Sequence, residues 1–282
     1  MSIKLENVSY IYEKGSAYSS NALKNISLEI NEGEFIGIIG HTGSGKSTLI
    51  QLFNALLRPT EGKILYDDKD IWESGYDRRA LRFNVGLVFQ YPEYQLFETT
   101  ILKDVCYGPQ NKDLSENECR ERAIQALTAV GMKEDMYEKS PLEISGGQKR
   151  RVAIAGVLAM DPKVLVLDEP CAGLDPRGKQ EILNMLSRLR RDRNITIILV
   201  SHSMEDVAGY ADRLIVMNKG EKAFDGSVRE VFSHYRELEE MGLAAPQVTY
   251  IMNELKNRGL NVDTTAITID EAKKSILRAL RR

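Results

Sequence analysis

The sequence is short of cysteine, of excess positive charge and of long apolar runs, and each shortage excludes a class of protein. Its three cysteines (Cys106, Cys119 and Cys171) are scattered without metal-ligand spacing, so we expect free thiols in a reducing compartment. With 38 Lys+Arg against 41 Asp+Glu, the net charge of −3 argues against a nucleic-acid partner. The apolar run 195–200 is far shorter than the roughly 18–20 residues that cross a bilayer. The chain is therefore predicted to be cytosolic. If it works at a membrane, another subunit must provide the membrane-spanning part.

Short runs that are apolar on every or almost every residue predict the core of the fold. Residues 35–39, 85–89, 164–167 and 196–200 are such runs, which are typical of strands buried on both faces of a parallel sheet. Helical stripes separate them, and strands that alternate with helices predict an α/β core. The clearest stripes are Leu49, Leu52, Phe53, Leu56 and Leu57, and then Ile182, Met185, Leu186 and Leu189.

Three other stretches differ from this core. Residues 3–12 and 26–30 alternate apolar and polar residues in the manner of half-buried strands. Residues 91–160 contain helical patterns without a buried strand, which indicates a helical insertion into the core. After residue 235, a stripe that begins at Pro246 and ends at Gly259 precedes a capping-box pattern at 268–271, so the chain ends in a small helical appendage. Its stripes look too small for a separate core, which favours docking or dimerisation.

Residues 40–47 match the phosphate-binding pattern G-x-x-x-x-G-K-[ST], between a buried strand and a helix predicted to begin near Lys46. The glycines let backbone N–H groups point at phosphate oxygens, and the helix N-terminus adds a favourable field. Lys46 is placed to reach the β- and γ-phosphates and Ser47 to hold Mg²⁺. The predicted ATP-binding residues here are Gly40, His41, Thr42, Gly43, Ser44, Gly45, Lys46, Ser47 and Thr48.

Two acidic residues follow the buried strand 164–167. Carboxylates at the carboxyl end of a strand beside a phosphate loop can hold a metal and activate water. We therefore predict that Asp168 binds Mg²⁺ and that Glu169 is the general base.

A second anion-binding helix end is predicted at residues 145–148, far in sequence from the first. Ser145 is a natural N-cap, and two glycines free the backbone N–H groups behind it. Lys149 and Arg150 would oppose the helix dipole, which indicates that a polyanion approaches them. The alternative is an ordinary capped surface helix.

Taken in order, these segments resemble the motifs of ABC ATPases. Residues 145–148 are similar to the signature motif, with Ile144 where Leu is more usual, and residues 172–175 are similar to the D-loop. The resemblance adds four residues, each at a motif position: Gln90 of the Q-loop, Asp175 of the D-loop, the switch histidine His202, and Tyr12, which would stack on adenine with Tyr10 as its rival. It implies a P-loop NTPase core over residues 1–235 with an N-terminal antiparallel β subdomain, a helical subdomain at about 91–160 and a C-terminal appendage at 236–282.

Residues 89–97 narrow the resemblance to energy-coupling factor transporter ATPases, although Cys171 and Ser203 replace the commoner Thr and Asp. This implies a peripheral ATPase on the cytoplasmic face of the membrane that powers uptake of vitamins or metal ions. Its cofactors would be ATP and Mg²⁺. Its partners would be a second ATPase subunit (a paralogue, or else an identical copy), a transmembrane scaffold and a substrate-binding membrane subunit.

The family mechanism implies that two subunits meet head to tail. ATP on Lys46 of one subunit is then covered by the signature residues of the other: Ser145, Gly146, Gly147 and Gln148. Gln90 completes the Mg²⁺ shell and senses the γ-phosphate, His202 holds the γ-phosphate and the attacking water, and Asp175 couples the two sites.

Several alternatives stay open at this stage. The chain could serve another kind of ABC importer, or be a soluble ABC ATPase that acts on DNA or ribosomes, although neither a long coiled-coil insertion nor a second cassette is visible. A P-loop kinase is a weaker alternative, because a kinase would not need a signature motif, a Q-loop and a switch histidine in the same chain. For Tyr94, Leu96 and Phe97 we hypothesise contact with a membrane subunit, and core packing is the alternative.

Overall fold

A computed structural model describes residues 1–281. The strands are β1 (Ser2–Tyr12), β2 (Ser20–Asn31), β3 (Phe35–Ile39), β4 (Glu61–Tyr66), β5 (Lys69–Asp70), β6 (Val85–Val88), β7 (Val164–Asp168), β8 (Thr196–Val200), β9 (Arg213–Asn218) and β10 (Glu221–Ser227). The helices are α1 (Lys46–Phe53), α2 (Arg78–Asn84), α3 (Ile101–Gln110), α4 (Glu116–Ala129), α5 (Gly146–Leu158), α6 (Pro176–Arg193), α7 (Met204–Tyr210), α8 (Val228–Ser233), α9 (Tyr235–Glu240), α10 (Gln247–Asn257) and α11 (Ile269–Leu280).

The central sheet has six strands in the order β10-β9-β3-β8-β7-β6. Neighbouring strands from β9 to β6 pair in parallel, and β10 pairs antiparallel with β9. Every residue of β3 and β8 is buried, as their uninterrupted apolar sequences predict. Because parallel strands end at the same edge, the residues that follow β3, β6, β7 and β8 meet at one edge of the sheet.

The N-terminal strands form a separate antiparallel sheet in the order β2-β1-β4-β5. Their inward side chains share one hydrophobic core with α1 and with one face of the central sheet; examples are Leu5, Ile26, Leu52 and Val166. The predicted helix stripe at residues 49–57 is wrong at its end, because α1 stops at Phe53 and Leu56 is 44% exposed. The break comes where Ala55 adopts a left-handed backbone with φ of 56°.

Between β6 and β7, the described chain contains only helical elements: α3, α4, α5 and three short 3₁₀ turns at Pro92–Gln95, Glu134–Met136 and Pro141–Glu143. They pack with α6 against the other face of the central sheet. The antiparallel sheet, the helical insertion and the α/β core together confirm the predicted fold class.

The C-terminal appendage has a small core of its own, contrary to the prediction that its stripes are too small for one. The buried members of this cluster are Val248, Met252, Val262, Ala266 and Ala272. Gly259 follows the α10 C-cap with φ of 91°, as its predicted C-cap role requires. Across residues 1–281, no helix is both long enough and apolar enough to cross a membrane.

Candidate active site

A cleft of about 560 Å³ opens at the carboxyl edge of the central sheet. Most of the predicted site residues line it, namely Tyr12, Thr42, Gly43, Gly45, Lys46, Ser47, Thr48, Gln90, Asp168, Glu169 and His202. Ser20, Asn21 and Ala22 also line this cleft, and sequence reasoning did not single them out. They belong to the start of β2, where polar loop residues give no distinctive signal.

The loop between β3 and α1 has the geometry of a phosphate cradle. Gly43 and Gly45 have φ of 79° and 100°, values that side-chain-bearing residues rarely adopt. A Cβ atom on Gly45 would lie 2.5 Å from the Ala22 carbonyl oxygen, so this glycine also permits a close backbone approach. Gly45 caps α1, whose N-terminal N–H groups therefore point into the cleft region.

Lys46 is held by the loop that precedes it. Its Nζ donates to the carbonyl oxygens of Gly40, at 2.7 Å, and His41, at 3.1 Å. Burial lowers the Lys46 pKa, while the nearby carboxylates Glu169 and Asp168 act in the opposite direction. The ammonium group thus sits partly desolvated at the floor of an anion site, where its field on a phosphate is strong.

Three predicted loop residues do not line the cleft, and they support the loop instead. Ser44 is buried, and a Cβ atom on Gly40 would lie 2.5 Å from its Oγ. His41 contacts the Thr42 carbonyl oxygen through Nδ1 at 2.7 Å and Asn218 Oδ1 through Nε2 at 3.3 Å.

Oxygen ligands for a divalent cation lie together at one end of the cleft. Ser47 Oγ donates to Asp168 Oδ2 at 3.0 Å, and Gln90 lines the same cleft. The part of the chain that the structure describes has no group of three His, Cys, Asp or Glu residues fit to hold a metal. One carboxylate beside one hydroxyl suits Mg²⁺, which commonly takes one or two carboxylates and completes its shell with phosphate oxygens and water.

Glu169 and His202 face each other beside this oxygen cluster, with His202 Nε2 3.4 Å from Glu169 Oε1. Burial raises the pKa of Glu169 to about 7, opposed by a hydrogen bond from the His202 backbone. Burial, followed by the charge of Lys46, lowers the pKa of His202. Both groups are shifted toward their neutral forms, so their contact is not a strong ion pair. A carboxyl with a pKa near neutrality suits a general base.

Tyr12, and not its rival Tyr10, presents its side chain to the cleft. Tyr12 is 39% exposed, and its hydroxyl lies 3.1 Å from Thr48 Oγ1. Tyr10 packs against the core and supports Tyr12 edge-on, with 4.8 Å between the ring centroids.

The signature residues line a different cleft, of about 380 Å³, together with Asp175. Ser145 Oγ accepts the Gln148 N–H, and Gln148 Oε1 accepts the Ser145 N–H at 2.9 Å, which is a complete capping box. A Cβ atom on Gly146 would meet nothing within 4 Å, and one on Gly147 only Leu174, at 3.9 Å. The two clefts share no lining residue, so one chain does not bring its signature motif to its own phosphate loop.

Comparison with known proteins agrees with this geometry. The ABC transporter family model matches residues 23–172. An energy-coupling factor transporter ATP-binding protein, EcfA2, from Caldanaerobacter subterraneus subsp. tengcongensis is 54% identical over 100% of this chain and 98% of its own length. The EcfA2 of Clostridium perfringens is 53% identical over 100% of this chain and 99% of its own length. This chain belongs to the energy-coupling factor transporter ATP-binding proteins.

Solved structures extend the comparison of this energy-coupling factor ATPase. The cbiO1 protein of Clostridium perfringens, described as part of the ABC transporter complex cbiONQ, has a TM-score of 0.76 and 41% identity, covering 89% of this chain and 98% of its own. The cassette MJ0796, solved as a dimer bound to ADP and Pi after hydrolysis, has a TM-score of 0.69 and 31% identity, covering 80% and 98%. The predicted family, fold class and ATPase activity are thereby confirmed.

The prediction that Arg150 faces an approaching polyanion is wrong. The Arg150 side chain is not accessible to a polyanion, because it is 2% exposed and donates to Glu93 inside the protein. The buried ion pair with Glu93 offsets the unfavourable interaction of the Arg150 charge with the α5 dipole. Lys149, the other basic residue of this pattern, is half-buried.

Sequence reasoning also missed a polar cluster behind His202. Lys179 Nζ lies 2.9 Å from Asp206 Oδ2 and donates to Ser203 Oγ at 3.2 Å. Ser203 in turn accepts the Asp206 N–H and thereby caps α7. The cluster ties the helix that begins at the D-loop to the segment after His202, and no local pattern joins these residues in sequence.

Proposed function

We propose that this energy-coupling factor ATPase hydrolyses ATP between two subunits. The phosphate loop of one subunit holds the nucleotide, and the Ser145–Gly147 end of the other covers it. The separation of the phosphate and signature clefts within one chain carries this proposal. The related cassette MJ0796, solved as a dimer with ADP and Pi, supports the same arrangement.

In this proposal, Ser47, Asp168 and Gln90 would hold Mg²⁺. The bound cation would neutralise part of the phosphate charge. Lys46 stabilises the negative charge that develops on the transferred group, and Tyr12 stacks on adenine. The desolvated setting of Lys46 supports its role, because its interaction with phosphate is weakly screened there.

The attacking water is positioned by Glu169 and His202. Glu169 accepts its proton, and the raised pKa of this carboxyl supports the assignment. Neutral His202 donates a hydrogen bond from its ring to the γ-phosphate and helps to hold the attacking water. Asp175 at the subunit boundary couples the two sites.

The proposed setting is the cytoplasmic face of the cell membrane, where the chain is a peripheral subunit that powers uptake of a vitamin or a metal ion. The proposed partners are a second ATPase subunit, favoured as a paralogue over an identical copy, a transmembrane scaffold and a substrate-binding membrane subunit. The names of the relatives, and of the complex that contains cbiO1, support this assignment.

An exposed aromatic patch supports contact with the scaffold. Tyr94 is 84% exposed and Phe97 is 63% exposed, and Phe97 packs edge-on against the half-exposed Tyr107. Leu96, by contrast, packs partly against the core. The core-packing alternative therefore fits Leu96, whereas Tyr94 and Phe97 are available to a partner. The patch directly follows Gln90, so movement at the γ-phosphate can reach it.

Changing Tyr94 and Phe97 together to Ser is expected to lower co-purification with the membrane subunits by about 100-fold, because exposed aromatic anchors carry much of an interface's binding free energy. Mass spectrometry of the complex isolated from membranes measures this loss and identifies the partners. ATP affinity should stay within about twofold.

The matched control is Tyr18→Ser, because Tyr18 is also 84% exposed, lies in the loop between β1 and β2, and stacks on neither Tyr94 nor Phe97. Undiminished assembly of the double variant would remove the patch from the proposed interface. Recovery of a complex without a small scaffold subunit would favour another kind of ABC importer.

We also propose that residues 236–282 form a unit used in dimerisation, next to an ATPase domain of residues 1–235. Exposed apolar side chains on α10 and α11 support this: Ile251, Ile269, Leu277 and Leu280 are each at least 45% exposed.

A further inference from the structure

Arg150 is the most completely enclosed charged side chain near the site, and it contacts neither cleft. Its Nε donates to Glu93 Oε2 at 3.0 Å and its Nη2 to Glu93 Oε1 at 2.5 Å, which is a bidentate ion pair. Its Nη1 donates to the carbonyl oxygens of Pro170, at 3.0 Å, and Ala172, at 2.6 Å. The Glu93 side chain is only 16% exposed, so water screens the pair weakly.

The three partners of Arg150 lie in segments that carry proposed site residues. Glu93 belongs to the 3₁₀ turn Pro92–Gln95, just after Gln90. Pro170 and Ala172 lie between Glu169 and Asp175, and Arg150 itself lies in the second turn of α5, just after the signature. One guanidinium group therefore links the Q-loop, the signature helix and the segment that leads from the general base to the D-loop.

The chemistry of this link is more specific than stability requires. A buried ion pair is a poor source of stability, because apolar residues of similar volume often stabilise a fold as well or better. Two carbonyl oxygens and one carboxylate, in contrast, need the planar fork of arginine to hold them at fixed mutual positions. The segments it holds are loops and a short turn, which have little regular backbone hydrogen bonding of their own.

We propose that Arg150, with Glu93, is a positioning residue for ATP hydrolysis. It holds the segments that carry Gln90, Glu169 and Asp175 in fixed positions relative to the signature helix in the closed pair of subunits. The inference rests on the proposed two-subunit function. Arg150 itself does not touch the nucleotide, so its effect is on the alignment of the reacting groups and not on ATP binding.

The test compares Arg150→Lys and Glu93→Gln with the wild type in ATP hydrolysis, nucleotide binding and thermal unfolding. We expect kcat to fall about 10- to 100-fold in each variant, because misplacement of catalytic groups by about an ångström has effects of this size. The KM for ATP should stay within about threefold, because Lys46 and the phosphate loop are unchanged. The double variant should be no slower than the worse single variant, since both changes break the same link.

Arg213→Lys is the matched control. Arg213 makes a bidentate pair with Asp225, at 2.7 and 3.0 Å, and donates to the Glu29 carbonyl oxygen, but its partners lie outside both clefts. This variant should lose stability without a change in kcat.

An Arg150→Lys enzyme that resembles Arg213→Lys, less stable but with wild-type kcat, would overturn the inference. So would kcat and ATP binding that decline together in step with the unfolded fraction. If Arg150→Lys does not fold, Glu93→Gln decides alone, and an unchanged kcat there rejects the role. Loss of turnover in Glu169→Gln together with full turnover in the Arg150 and Glu93 variants would reject this inference and leave the proposed two-subunit function intact.

Discussion

Replacing Glu169 by Gln is expected to lower the kcat for ATP hydrolysis by about 10²- to 10⁴-fold and to leave an ATP-loaded dimer. Glutamine keeps the size of the side chain but cannot accept a proton from water. The phosphate loop is untouched, so ATP still binds and still draws the partner's signature helix onto it. Turnover assays measure the loss, and light scattering with ATP measures the dimer.

Lys46→Ala provides the contrast to Glu169→Gln. It removes the cation at the floor of the phosphate site, so it should fail to bind ATP tightly and should stay monomeric at the same protein concentration. Continued hydrolysis by Glu169→Gln at a near wild-type rate would show that another group is the base.

Replacing Gly147 by Asp is expected to lower ATP turnover by at least about 100-fold while the folded subunit and its ATP binding persist. Within one chain, a Cβ atom at this position meets only Leu174, at the ordinary contact distance of 3.9 Å. The subunit therefore has room for the side chain. In the proposed dimer, the new carboxylate faces the phosphates of the nucleotide on the partner and repels them.

Gly209→Asp is the control for Gly147→Asp. Gly209 is exposed near the end of α7, and a Cβ atom there meets nothing within 4 Å, so the same substitution is made outside both clefts. Equal turnover in the two variants would mean that residue 147 does not approach a nucleotide. Thermal unfolding and ATP binding distinguish this result from simple misfolding.

Much of the fold could be predicted from the sequence because its signals are local. The apolar runs at residues 35–39 and 196–200 form strands in which every residue is buried, and the glycines and Lys46 of the phosphate loop lie within a few residues of one another in sequence. The error at Leu56 has a local cause too, because an apolar periodicity does not reveal where a left-handed residue will end a helix.

The polar links behind the site could not be predicted in the same way. Arg150 pairs with Glu93 across 57 residues, and Lys179 pairs with Asp206 from a different helix. The spacing of these residues in the sequence does not predict that they meet, because their proximity depends on how the helical insertion and α7 pack around the sheet. For this reason the sequence around Arg150 predicts an external anion site, although the partner of Arg150 is the buried Glu93.

If ATP turnover needs two subunits, the rate per subunit must depend on the protein concentration. ATPase activity per subunit should be measured during serial dilution of the purified protein, alone and mixed with its second ATPase subunit, with saturating ATP and Mg²⁺ and with mass photometry on the same samples. We predict that the rate per subunit falls in parallel with the dimer fraction and vanishes when only monomer is present. A constant rate per subunit in samples that contain only monomer would contradict the account.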